Sequence, residues 1–293
     1  MTQSRQEAIK SMLWSDGHGL EIGPSHSPMF PKREGYNVDT LDHAIAAELR
    51  AKYAADPTVN VEAIEEVDYV SDGRAIHEVI GRQHCYDFVY SSHVIEHVTD
   101  FVAYFQSCEA LLKPNGVAVL SIPDKRFTFD ALQQLTSTGD VLEAHHNKAM
   151  RHSPSRVFDF IANFASMDGV DTWSLEHRGP TLLRNDVTAA KAWFDMASAD
   201  PKYIDVHGWR FTPTSFRLLM HDLNVLGLCS LREVQMSENG SFEFVVSLSK
   251  QGAGTGRSRI DLVHGIQLEV AVGALQGLAP HSAWAAEALR QHA

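Results

Sequence analysis

Two imidazoles and a carboxylate fall close together in His93-Val-Ile-Glu96-His97, the side chains proteins use to move protons or hold metals. On a helix, His93 and His97 share one face, so both rings reach a single zinc with Glu96 as base. In a strand-to-helix turn the same residues face whatever ligand the sheet carries. A second group is spread along the chain. Gly19-Leu-Glu21-Ile-Gly23 is a short apolar run closing in a glycine turn, Asp39 stands where a second strand ends, and Asp72-Gly73 follows a third. Glycine lets the backbone approach a ligand closely. An acid at the exit of the second strand takes both hydroxyls of a ribose, and a further acid accepts from the exocyclic amine of an adenine. In open α/β sheets such ligands lie outside the carboxyl ends of the strands.

The elements that must position these residues alternate through the first 125 positions. Asn37-Val-Asp39 reads as the end of the second strand, reached without room for a full helix after the first. Ile45, Leu49 and Tyr53 predict a helix over 42–54. Val67–Val70 is the third strand and Tyr86–Tyr90 the fourth. Thr99-Asp100 caps a helix with Phe101, Phe105, Cys108 and Leu112 on one face, ended by Pro114-Asn115-Gly116. Val117–Ile122 is apolar throughout, as expected for a parallel strand covered on both sides. Residues 125–210 lose the rhythm and read as a mostly helical insertion. It returns at Thr212-Pro213, a cap followed by proline at the first helical position, with Phe216, Met220 and Leu223 buried and Gly227 as the stop. Residues 228–236 and 242–248 predict a closing hairpin, 251–256 a break, and 258–293 a helical tail.

Composition narrows the partners. Lys+Arg number 25 against Asp+Glu 37, a net charge of −12, which disfavours nucleic acid and anionic membrane because phosphates reward clustered cations. The 3 cysteines, Cys85, Cys108 and Cys229, form neither a disulfide framework nor a thiolate zinc site and fit a reducing cytoplasm. The sequence offers no apolar run of membrane-spanning length.

At the residues quoted above the chain resembles class I S-adenosylmethionine-dependent methyltransferases with a type 11-like methyltransferase domain. Leu20–Pro24 resembles their first motif, Asp39 falls where the ribose acid lies, and Asp72-Gly73 where the adenine is contacted. Tyr86–Ser92 resembles the fourth strand, His93–His97 the turn after it, and Leu112-Lys-Pro-Asn-Gly116 the usual turn before the fifth. The resemblance covers about residues 17–125 well and 207–249 loosely. It implies an α/β Rossmann-like, doubly wound, mostly parallel sheet with a closing antiparallel hairpin. A methyltransferase domain would span 1–250, with 125–210 as an acceptor lid, and 251–293 would form a linker and helical tail able to pair two subunits. It further implies that Glu21, Gly23, Pro24 and Ser91 hold the methionine end, Asp39 the ribose, Asp72 and Gly73 the adenine, with His97 beside them. The first loop departs from the pattern. Gly23-Pro24-Ser25-His26-Ser27-Pro28 lacks the later glycines, which puts side chains near the methionine end and leaves no proper helix behind. The missing G-x-G-x-x-G also speaks against a nicotinamide cofactor.

Methyl transfer from a sulfonium is an in-line displacement that depends on positioning. A hydroxyl acceptor, on a small molecule or a glycan unit, benefits from a base near the ends of strands four and five, and His93, Asp124 and His207 are the candidates. Arg126, Arg151, Arg156 and Arg178 of the insertion would pair with an anionic acceptor. Two other readings stand beside this one: a zinc hydrolase through His93, Glu96 and His97, and a non-catalytic module that binds an adenosyl ligand.

Overall fold

The structure, a computed structural model, describes residues 5–13, 17–177, 179–278 and 290. Its centre is a seven-stranded sheet made of β1 (Gly19–Ile22), β2 (Val38–Asp42), β3 (Tyr69–Val70), β4 (Tyr86–Ser92), β5 (Leu112–Pro123), β8 (Arg232–Glu238) and β9 (Glu243–Ser249). The order is β3-β2-β1-β4-β5-β9-β8. The first five strands run parallel; β9 is antiparallel to β5 and to β8, so the closing hairpin has the predicted form. The chain therefore has the Rossmann-like α/β fold that its pattern implies.

Alternation along the strands separates two cores. On one face Ile22, Val89, Leu120 and Val246 meet α4 (Phe101–Leu111) and α8 (Pro213–Val225) through Phe101, Phe105, Phe216 and Leu223. On the other, Phe88, Tyr90, Val119 and Val245 are covered by Ile9 and Met12, from and just beyond α1 (Arg5–Ser11), and by Met29 and Phe30. Between β1 and β2 there is only a 3-10 turn, Lys32–Glu34, in agreement with the short connection read from sequence. Glu21, on this face, explains how a loop replaces a helix. Its carboxylate, 2% exposed, accepts from Met29 N at 2.7 Å and Phe30 N at 3.1 Å, pinning the loop to the sheet.

Caps act where the sequence placed them. Asp100 accepts from Ala103 N at the start of α4, and Thr212 forms a capping box with Ser215 at the start of α8. The second strand differs from its prediction. It begins near Asp39 instead of ending there, because four residues are needed to run alongside β1, from Gly19 opposite Val38 to Ile22 opposite Leu41. The next helix, α2 (Ala46–Tyr53), starts correspondingly later. After it comes α3 (Ile76–Ile80). The insertion contains α5 (Thr138–His146), α6 (Pro154–Ala162) and α7 (Val187–Ala199), but also a small antiparallel sheet of β6 (Ala165–Met167) and β7 (Thr181–Leu183). The tail folds back on its own chain: α9 (Arg259–Leu278) packs on α8, with Thr214 Oγ1 donating to Glu269 at 2.6 Å and Arg259 Nε to Asp222 at 2.9 Å. The tail beyond Leu278, residue 290 excepted, lies outside the described residues. No helix among the described residues is long and apolar enough to cross a membrane.

Candidate active site

The parallel strands end on one edge, where the connections diverge. Gly23, with φ +68, turns the chain there; a Cβ on it would stand 2.7 Å from Val94 Cγ2, so glycine is required both by conformation and by space. Pro24 continues the turn, its carbonyl accepting from Ser27 N at 2.9 Å. At the exit of β2 the acid beside this turn is Asp42, 3% exposed, accepting from Ser25 N at 2.9 Å and His43 N at 2.7 Å. Asp72 and Gly73 follow β3. Asp72 is exposed and holds Arg74, and a Cβ on Gly73 would meet Met150 Cε at 2.9 Å, so the insertion reaches over this corner.

Asp39 is not part of this edge. It lies near the opposite end of β2, where Tyr86 OH donates to it at 2.7 Å, Arg82 at 2.8 Å, and His18 stands 3.3 Å away. Burial would raise its pKa, but the Tyr86 and His18 hydrogen bonds and the Arg82 charge hold it below the usual carboxylate range. The expected convergence of residues 39 and 72 is therefore corrected in its geometry: the acid at the exit of β2 is Asp42, and Asp39 lies away from that edge. The spacing signal was present, since a strand beginning at Val38 cannot pass β1 before reaching the second acid of Val-Asp-Thr-Leu-Asp42. Glu21 and Ser91, expected at the methionine end, both have partners within the chain. Glu21 is spent on the loop amides, and the buried Ser91 hydroxyl bonds Tyr104 OH at 2.8 Å.

After β4 the chain turns through His93, which takes a left-handed φ of 53, an uncommon conformation for a residue with a Cβ. Residues 93–97 form a turn, not a helix, so His93 and His97 do not share a helical face and the zinc-peptidase geometry is absent. His93 Nε2 donates to Glu243 Oε2 at 3.0 Å, and its Nδ1 lies 3.7 Å from Glu96 Oε1. Glu243 is buried, which alone would raise its pKa; the bonds from His93 and Arg5 outweigh this and keep it ionised. The ring is thus held between two carboxylates, Nε2 toward Glu243 and Nδ1 toward Glu96.

Glu96 sits at the centre, 1% exposed, with neither carboxylate oxygen hydrogen-bonded. Its main-chain carbonyl accepts from Gly208 N at 2.8 Å, tying the turn to the segment that carries His207. His207, 7% exposed, donates from Nδ1 to Asp130 Oδ2 at 2.5 Å, and His97 donates from Nδ1 to Asp205 Oδ1 at 2.7 Å. Burial by itself would lower the His97 pKa, but the Asp205 bond and the nearby Glu96 and Asp130 carboxylates raise it, the mark of an electronegative hollow. His152, pushed down to about 4 by burial, donates from Nε2 to His97 O at 3.1 Å. Gly208 makes room for it: a Cβ there would fall 2.2 Å from the His152 ring. Asp130, Asp205 and Glu243 lie far from the turn in sequence, and no local signal pointed to them.

Asp124 is corrected as a base. It is buried, caps the following turn and is held by Arg126, whose Nε lies at 2.9 Å; burial raises its pKa and the Arg126 bonds oppose that rise. The other insertion arginines are also committed. Arg151 donates to the carbonyls of Ala197 and Asp200 at 2.8 and 2.7 Å, and Arg156 stacks 3.9 Å from the Trp209 ring centre. Arg178 lies outside the described residues.

Residues 12–225 match the family model described as a methyltransferase domain, and the chain belongs to that family. No curated protein matches it. Among solved structures it is similar to an S-adenosylmethionine-dependent methyltransferase from Mesorhizobium loti, at 15% identity over 82% of this chain and 95% of that one, TM-score 0.43. It is also similar to a possible histamine N-methyltransferase from Thermotoga maritima, at 12% identity over 84% and 87%, TM-score 0.42. A third is a putative Zn-dependent alcohol dehydrogenase from Rhodobacter sphaeroides, at 13% identity over 85% and 90%, TM-score 0.46. The family assignment rests on the family model. The protein is an S-adenosylmethionine-dependent methyltransferase. The strand-end edge suits that co-substrate: a glycine turn that a Cβ would fill, a carboxylate at the exit of β2, and Asp72-Gly73 at the exit of β3.

Proposed function

We propose that the enzyme methylates a hydroxyl of a small molecule or glycan unit, with His93 as the proton acceptor. When bound, S-adenosylmethionine supplies an electrophilic methyl group. Asp42 would hold the ribose, Gly23 and Pro24 would let the backbone approach, and Asp72-Gly73 would border the adenine. Residues 1–250 form the catalytic unit in this reading, and the insertion covers the acceptor, as the approach of Met150 to Gly73 and the bond from Tyr203 OH to His97 O at 3.0 Å support. Pairing of two subunits would use the outer side of α9, where Ile260, Leu268 and Val270 are exposed.

One observation carries the choice of His93. It stands at the exit of β4 in a strained left-handed conformation, its ring fixed by the ionised Glu243 so that Nδ1 is the accepting atom. An amine acceptor that loses its proton to bulk water before reacting would need no such residue. The test uses a labelled methyl donor with panels of alcohols, sugars and amines. His93→Gln is expected to lower kcat by about 10²–10⁴ with donor affinity unchanged. Transfer to amines alone, or an unaltered kcat, would overturn the assignment.

A further inference from the structure

The methyl transfer proposed above leaves Glu96, His97 and His207 without a task. We propose that these three side chains bind a divalent first-row transition cation of the zinc class. One ligand atom from each lies within 4.8 Å of the others. His97 Nε2 and His207 Nε2 are each 3.9 Å from Glu96 Oε1. Ligands around a tetrahedral zinc lie about 3.3 Å apart, so side-chain rotations that bring these atoms together by up to about 1.5 Å close the set.

The second observation is Glu96 itself. A carboxylate 1% exposed with no hydrogen-bond donor on either oxygen is costly unless a proton or a cation neutralises it, and here Oε1 faces three imidazole nitrogens, His93 Nδ1 at 3.7 Å and the Nε2 atoms of His97 and His207 at 3.9 Å. Each ring is turned for that role by its other nitrogen, His97 by Asp205 and His207 by Asp130, the carboxylate–histidine arrangement that fixes metal-binding rings. Two imidazoles and one carboxylate favour zinc, iron or manganese over magnesium and calcium, which take oxygen sets. The two segments are also held in register, because Gly208 N and Trp209 N both donate to Glu96 O. His97 is a third exposed, so a coordination position opens to the crevice. Use of that position by an acceptor oxygen rests on the methyl-transfer reading; the cation does not.

The full chain, stripped with a chelator, is titrated with Co²⁺ while visible ligand-field bands are followed, and with Zn²⁺ by calorimetry. One ion per chain is expected. Glu96→Gln and His207→Ala should weaken binding by at least about 10–100-fold and abolish the bands. His97→Gln, at a part-exposed position, is the variant least able to disturb folding, and circular dichroism checks all three. Absence of saturable binding, or an affinity unchanged in folded His97→Gln, would overturn the site and assign any bound metal to others of the 16 histidines. Calorimetry with an adenosyl ligand runs in parallel. Its failure alone counts against the methyl-transfer reading; failure of the metal titration alone counts against the cation.

Discussion

Near the amino-terminal end of the parallel strands, Asp39 is met by Tyr86, Arg82 and His18. Past the carboxyl-terminal edge, Glu96 is more deeply buried and accepts no hydrogen bond, with imidazole nitrogens no nearer than 3.7 Å. Both carboxylates pay for leaving water, yet only the first is repaid by its surroundings. A half-buried acid with all its partners needs nothing further and serves the fold. One left unsatisfied among oriented imidazoles calls for a proton, a water or a ligand, and the cation proposed above is such a ligand.

Four substitutions sharpen the contrast. Asp42→Ala, at the crevice, should weaken methyl-donor binding by about 10–100-fold, the worth of a charge-assisted hydrogen bond, while Asp39→Ala leaves donor affinity unchanged and lowers stability. Calorimetry on both variants decides it, and equal donor affinities for the two would erase the distinction between the edges. Glu21→Gln acts on the crevice side through the loop. Burial pushes Glu21 up to about 7 against its two amide donors, from an ordinary value of 4.5. The folded chain therefore holds a proton that the unfolded chain has released, and wild-type stability falls as pH rises from about 4.5 to 7. The variant should lose this slope, a difference of about 1–3 kcal/mol across that window in denaturant titrations. Parallel curves would show Glu21 to be ionised throughout. Tyr86→Phe is the mildest. Asp39 keeps Arg82 and His18, so stability should fall by about 0.5–1.5 kcal/mol with methyl transfer intact. A large loss of activity would tie the far edge to catalysis.

The strands and helices were legible because each carries its own period and its own stops: the apolar Val117–Ile122, the Asp100 and Thr212 caps, Gly227. The missing helix after β1 was legible from length alone. The acid at the exit of β2 was misplaced by three residues, because strand exit depends on register against β1 and not on the first acid met. Ser91 and Asp124 have partners that were not legible, for a different reason. Their types suit a site, but Tyr104 and Arg126 consume them, and partner choice is a property of packing.

Alternation, caps and turn residues act over a few neighbours, so the sequence by itself determined the α/β class, the strand count through β5 and the crevice near Gly23. Which acids face that crevice, and the meeting of Glu96 and His97 with a histidine more than a hundred residues away, were decided only by tertiary structure. Side chains from distant segments acquire a common environment only once the sheet and the insertion have packed together.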